Sequence, residues 1–185
     1  EPTNTRTRLN YAAGSAWESI HRTVLRNASK NHGDRLGIRF LEAPERVDVS
    51  IGGSQMGGYY DGILEVKPEI LYRELGGGPE ELQRLKDSAK DGWLRIMLEI
   101  KTQSEYSYRT FKSRKLNVFI DKETNQETFG YRTQMALYLR QAFSDGTISV
   151  PVGIWYVINK NTGHCAEQII SLKVLESEVA EADKA

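Results

Sequence analysis

Residues 93–102, WLRIMLEIKT, constrain this chain more than any other stretch. The run is mostly apolar and ends in charges. A half-exposed strand would alternate apolar and polar residues, so a short, nearly continuous apolar run predicts a central strand buried on both faces. Glu99 and Lys101 stand two apart, and on a strand they project from the same face. Charges at the end of such a strand are costly unless they are paired or bind something. The run therefore implies a sheet-centred fold with a polar task at one end of its middle strand.

The flanking sequence predicts the rest of that fold. Ala13, Trp17, Ile20, Val24 and Leu25 recur at helical spacing and predict a helix over about 10–29, with Asn10 at its start. Val47, Val49 and Ile51 alternate as in a strand. The glycine-rich GGSQMGG at 52–58 reads as a turn, and 59–66 as the partner strand of a hairpin. Pro68 and GGGP at 76–79 punctuate an insertion over about 67–91, with an exposed helix at 80–90. Residues 103–128 are polar, basic and aromatic with weak periodicity, and read as an arm or short strands. A second helix is predicted over 130–143, then a hairpin of 151–159 and 164–172 around Asn161-Thr162-Gly163. Beyond Leu175 the chain is expected to fray or form a terminal helix, and the segment 174–185 is acidic. The 185 residues are expected to form a single α/β domain, a mixed central β-sheet flanked by helices.

Composition excludes several classes. A lone cysteine, Cys165, rules out an intrachain disulfide framework, a cysteine-ligated zinc site and an iron–sulfur cluster built within the chain. No apolar run approaches the ~18 residues of a membrane span. The first residues, EPTNTRTRLN, are polar and do not resemble a signal peptide, though the absent initial Met leaves open a removed start. A cytoplasmic, non-membrane protein is expected. Formal net charge is 0, so partners must be sought in local charge. Residues 1–39 hold seven Arg/Lys against three acids, and 105–122 hold Arg109, Lys112, Arg114, Lys115 and Lys122 against Glu105 and Asp121.

Asp61 on the preceding hairpin is placed to meet Glu99 and Lys101. Two carboxylates can hold Mg²⁺ or Mn²⁺ while phosphate oxygens and water complete the octahedron. A neighbouring lysine can orient or help deprotonate an attacking water, or steady a phosphate. An acid, one residue and a lysine is also a common solvated ion-pair edge, so the rest of the pattern matters. Gly14, Glu18 and His21 fall on one helix face. A neutral imidazole there could complete a metal shell and favour Mn²⁺, or simply pack. Gln134 and Tyr138, at i and i+4, share a face of the second helix and could hydrogen-bond a nucleic-acid phosphate, or merely form its polar side.

In order, Gly14…His21, Asp61, Glu99-Ile100-Lys101 and Gln134-Met-Ala-Leu-Tyr138 resemble the PD-(D/E)XK nuclease superfamily, within it the RecB-like exonuclease branch. The motifs span residues 14–138, about two-thirds of the chain. The resemblance implies a restriction-endonuclease-like core of about four or five strands. It implies Asp61, Glu99 and the Ile100 backbone carbonyl as ligands of Mg²⁺ or Mn²⁺, with His21 a further ligand and Lys101 the catalytic lysine. Gln134 and Tyr138 would help bind DNA. Glu18 matches no family position as firmly and is a candidate second-metal or water-mediated ligand. Many branch members bind an iron–sulfur cluster through four cysteines; this chain cannot, which favours the cluster-free, phage-like members. Tyr60 stands where the family often has proline.

Arg109, Lys112, Arg114 and Lys115, interleaved with Tyr106, Tyr108 and Phe111, could track a DNA strand, cations on phosphates and aromatics on unpaired bases, or form an ordinary polar loop. GGSQMGG lacks the Gly-Lys-Ser/Thr ending of a phosphate-binding loop, and no ATPase motif is present, so any unwinding would come from a helicase or recombination partner. Cys165 reads as structural, and His32 and His164 as exposed. The expectation is a metal-dependent DNA exonuclease acting on ends or single strands. The alternatives are a structure- or sequence-specific endonuclease, or a DNA-binding subunit whose activity depends on a partner.

Overall fold

The computed structural model describes residues 5–42, 47–51, 54–114, 130–176 and 180. The first helix, α1 (Thr5–Leu36), is 32 residues long and outruns its predicted ends, so Asn10 lies within it. Its last turns are held by tertiary contact, since the Ser29 hydroxyl accepts the Phe40 N–H at 2.9 Å. Gly37, at φ +67°, stops it in the left-handed conformation that glycine adopts at low cost.

The chain then enters β1 (Ile38–Glu42), a strand the sequence did not announce. It lies at the sheet edge, where only Phe40 is buried, so no apolar alternation marks it. Next come β2 (Val47–Ile51) and β3 (Ser54–Gly58), which among the described residues pair only with each other. The expected turn sequence thus supplies the partner strand. Residues 59–66 do not pair with 47–51 as expected. Their strand, β4 (Gly62–Val66), is buried along nearly its whole length and joins the main sheet beside β1.

The insertion carries two helices, α2 (Pro68–Leu75) and α3 (Pro79–Ser88), where one was expected. Each begins on a proline at a position that needs no N–H donor. Each buries one leucine, Leu71 and Leu85, against the sheet. β5 (Leu94–Gln103) follows and is the central strand, as its apolar run predicts.

The segment expected as an arm is, in its described part, a helix, α4 (Glu105–Arg114). Tyr108 and Phe111, one turn apart, are buried in the core. They are therefore withdrawn from base stacking, and only Tyr106 stays exposed. Residues 115–129, including Lys115, lie outside the described residues, as does the side chain of Arg114. The second predicted helix is α5 (Tyr131–Ser144), and the closing hairpin is β6 (Val152–Asn159) with β7 (Cys165–Ser171). A short 3-10 turn at Leu172–Leu175 ends the described fold apart from residue 180, and most of the acidic tail falls outside it.

The main sheet runs β1-β4-β5-β6-β7. β1, β4 and β5 are antiparallel neighbours, β6 is parallel to β5, and β7 returns antiparallel. Alternation along β5 divides the core. Met97 joins Trp155, Val157, Met135 and Leu139 in a layer with α4 and α5. Leu94, Ile96, Leu98 and Ile100 join Leu71 and Leu85 on the other face, with Trp17 and Leu25 of α1 against them. The result is a mixed α/β domain with helices on both faces of a five-stranded sheet. Among the described residues, no helix is long and apolar enough to cross a membrane.

α1 corrects one more expectation. Ala13, Ile20 and Val24 of its predicted apolar face are exposed. The stripe turned inward holds Gly14, Trp17, Glu18, His21, Arg22 and Leu25. A helix that packs with a partly polar face carries something besides core.

Candidate active site

Glu99 is 2% exposed. A carboxylate in that position needs a reason, and the neighbours supply part of one. Its Oε1 lies 2.5 Å from the Lys101 ammonium. Its Oε2 is buried with no hydrogen-bond partner among the described residues. Burial pushes the Glu99 carboxyl up to about 7; the Lys101 charge pulls it down, and the Asp61 charge adds to the rise. For Lys101, burial works to lower the pKa. The charge and hydrogen bond of Glu99, with Asp61 beyond, outweigh it and hold the ammonium above the ordinary lysine range. The same ammonium stands 5.7 Å from the Tyr131 ring centroid at the start of α5.

Asp61 sits just before β4, and its N–H reaches the Leu98 carbonyl at 3.1 Å. Its Oδ2 accepts the Ile100 N–H at 2.8 Å, which joins the carboxylate to β5 between Glu99 and Lys101. Its Oδ1 and its backbone carbonyl both accept from the Arg22 guanidinium. Asp61, Glu99, Ile100 and Lys101 thus meet at one end of adjacent strands, as the sequence pattern requires.

Glu18 reaches the same place from α1. Thr102 Oγ1 donates to it at 3.5 Å, and burial together with the Asp61 charge raises its carboxyl pKa. The close approach of α1 depends on Gly14. A Cβ there would fall 2.8 Å from Thr102 Oγ1. Gly14→Leu is expected to displace α1 from β5 and to lower the Tm read from a melting curve. A Gly14→Leu protein that melts like the wild type would show that this contact positions nothing.

His21 is differently engaged. Its Nδ1 lies 2.9 Å from the Tyr156 hydroxyl and its Nε2 3.1 Å from the Gly163 carbonyl. A carbonyl only accepts, so Nε2 donates to it, and Nδ1 shares the other hydrogen bond with the tyrosine hydroxyl. With Trp17, whose indole N–H donates to the Lys160 carbonyl at 2.8 Å, it ties α1 to the β6–β7 turn. A cation could take Nδ1 only after the Tyr156 hydroxyl left it.

Gln134 and Tyr138 do share a face of α5, and Gln134 Nε2 donates to the Tyr138 hydroxyl at 3.2 Å. That hydroxyl packs on Gly58 of β3. Arg109 and Lys112 are exposed on α4, Arg109 paired with Glu105 at 2.5 Å and Lys112 6.0 Å from the Tyr108 ring centroid. His32 and His164 are exposed as expected; Cys165, read as structural, is an exposed free thiol whose carbonyl accepts the Tyr108 hydroxyl at 2.8 Å.

Arg22 is the site residue that sequence reasoning missed. The available signal was its position one turn after Glu18 on the same helix face.

A divalent cation fits this donor set in a limited way. Among the described residues no three His, Cys, Asp or Glu side chains gather as a metal cluster. Hard cations such as Mg²⁺ are, however, commonly held by one or two carboxylates with water and phosphate oxygens. The unpartnered, buried Oε2 of Glu99 is the kind of atom such an ion would satisfy.

No family model matches the chain, and no curated protein matches it. One solved crystal structure, that of SSO0001, is similar with a TM-score of 0.38 and 14% identity over 91% of this chain. The matched part is 58% of that protein, so the chain spans less than two-thirds of its length.

Proposed function

We propose that this chain is a Mg²⁺- or Mn²⁺-dependent deoxyribonuclease, a RecB-like exonuclease with a restriction-endonuclease-like core, acting in phage or recombination and repair DNA processing. The observation that carries the reading is the meeting of Asp61 with Glu99 and Lys101, distant in sequence, around the Ile100 N–H. The five-stranded mixed sheet with helices on both faces is compatible with such a core. Asp61, Glu99 and the Ile100 carbonyl would hold the cation. Bound there, a divalent ion would lower the pKa of a water and neutralise phosphate charge. Lys101, held against Glu99, supplies positive charge for the phosphate whose bond breaks. Gln134 and Tyr138 offer hydrogen-bonding groups from α5. Arg109 and Lys112 offer cations to the DNA backbone from α4, with Arg114 and Lys115 following in sequence.

The test uses end-labelled linear DNA and closed circular DNA, each with Mg²⁺, Mn²⁺ or EDTA, and Asp61→Asn alongside. The expected result is metal-dependent loss of the linear substrate alone, absent in the variant. Nicking of the circle would replace the exonuclease by an endonuclease. Cleavage undiminished in EDTA or in Asp61→Asn would remove this site from the chemistry.

One observation favours a second reading. Arg22 already pairs with Asp61, and the other oxygen of that carboxylate is taken by the Ile100 N–H. A DNA-binding subunit that works with a partner protein would show this arrangement. Metal-independent DNA binding without cleavage is its expected signature.

A further inference from the structure

We propose that Arg22 is an internal stand-in for the divalent cation, occupying Asp61 until the ion displaces it. The inference rests on the metal-dependent reading above and assigns a positioning role to a residue outside the motifs.

The geometry is specific. One guanidinium nitrogen holds Asp61 Oδ1 and another holds the Asp61 backbone carbonyl. With Ile100 N–H on Oδ2, both carboxylate oxygens are in use. A cation approaching Asp61 therefore meets a positive group already seated on it. Charge balance leads to the same exchange. Asp61 acts electrostatically on Glu18 on one side and on Glu99 on the other, and the cations Arg22 and Lys101 act on both glutamates. A dication beside Lys101 would balance the three acids alone. A dication, Lys101 and Arg22 together would exceed them. Binding the ion and releasing Arg22 thus become one event. Release is open to Arg22, because its side chain is 31% exposed on α1.

The proposal predicts that removing Arg22 tightens cation binding, opposite to what loss of a ligand or a structural support would do. Calorimetric titration of the DNA-free protein with Mn²⁺ reads it directly. Arg22→Met keeps the aliphatic stem and removes the charge. It is expected to bind Mn²⁺ about tenfold more tightly, as if a state populated about one time in ten became dominant. Arg22→Lys keeps charge but loses the two-pronged grip, so it should fall between Met and wild type. If Arg22→Met does not fold, Arg22→Lys carries the test in the same direction. A second readout is thermal: in EDTA the variant should melt below wild type, and saturating Mn²⁺ should close the gap. Wild-type binding that depends on Asp61, with equal or weaker binding in both Arg22 variants, would overturn the stand-in and leave the nuclease reading intact. No Mn²⁺ binding by any form, Asp61→Asn being the blank, would overturn both.

Discussion

On the proposed nuclease function, Lys101→Met is expected to slow DNA cleavage by about 10²–10³-fold, the usual cost of removing one preorganised charge from a transition state. The substitution keeps the aliphatic stem and removes only the ammonium, which stands 5.7 Å from the Tyr131 ring centroid. Folding should survive it. Without its partner, the buried Glu99 carboxyl avoids an isolated charge by keeping its proton, so the core is not left with a naked anion. DNA affinity measured without turnover should change little, because Lys101 is mostly buried and Arg109 and Lys112 remain on the surface. Single-turnover cleavage, a binding isotherm and a melting curve separate the three effects. Wild-type cleavage by a folded Lys101→Met protein would refute the assignment of this lysine.

How much of this was legible before the fold was known depends on what each residue type signals. β5 announced itself because burial on both faces demands a continuous apolar run, and Glu99 with Lys101 broke that run at one end. α5 and the β6–β7 hairpin were also legible, through helical spacing and a turn centred on Asn161-Thr162-Gly163. Edge strand β1 was not, since Arg39 and Glu42 suit an edge and hide the pattern. α4 was masked by its surface: basic residues between aromatics suggested an arm, while the Tyr108/Phe111 pair one turn apart was the core signal. The inward face of α1 was misread for a related reason. Apolar periodicity pointed to Ile20 and Val24, yet the helix turns half-buried Glu18, His21 and Arg22 inward beside Trp17 and Leu25 and leaves those two exposed. Arg22 illustrates the limit. Spacing places it near Glu18, but which of several arginines meets Asp61 is decided by how α1 packs on the sheet, where Gly14 lies close against Thr102.

The metal-free protein should lose stability as pH rises through neutrality, and Glu99 should be the main cause. Its carboxyl pKa in the fold is pushed by burial to about 7, above the ordinary glutamate value of 4.5. Below the unfolded value both states hold the proton, and the contribution is fully present. Between the two values only the folded state keeps it, so stability falls with rising pH. Above about 7 the contribution is gone, and the fold contains an ionised, buried carboxylate. The raised Lys101 pKa acts only in the alkaline range and does not enter this window. Glu18 adds a slope of the same sign. Glu99→Gln removes the titration but also the ion pair with Lys101, so its Tm at any one pH is uninformative. The difference between wild type and variant across pH is informative. From pH 5 to pH 8 in EDTA, wild type should lose about 2 kcal/mol relative to Glu99→Gln. For a chain this size that is a relative fall in Tm of roughly 4–8 °C. Added Mg²⁺ at pH 8 should stabilise the wild type more than Glu99→Gln, because the variant keeps Asp61 but has lost the second carboxylate that would meet the ion. Parallel pH profiles for the two proteins would mean that Glu99 keeps an ordinary carboxyl, and that its burial against Lys101 stores nothing for a cation to release.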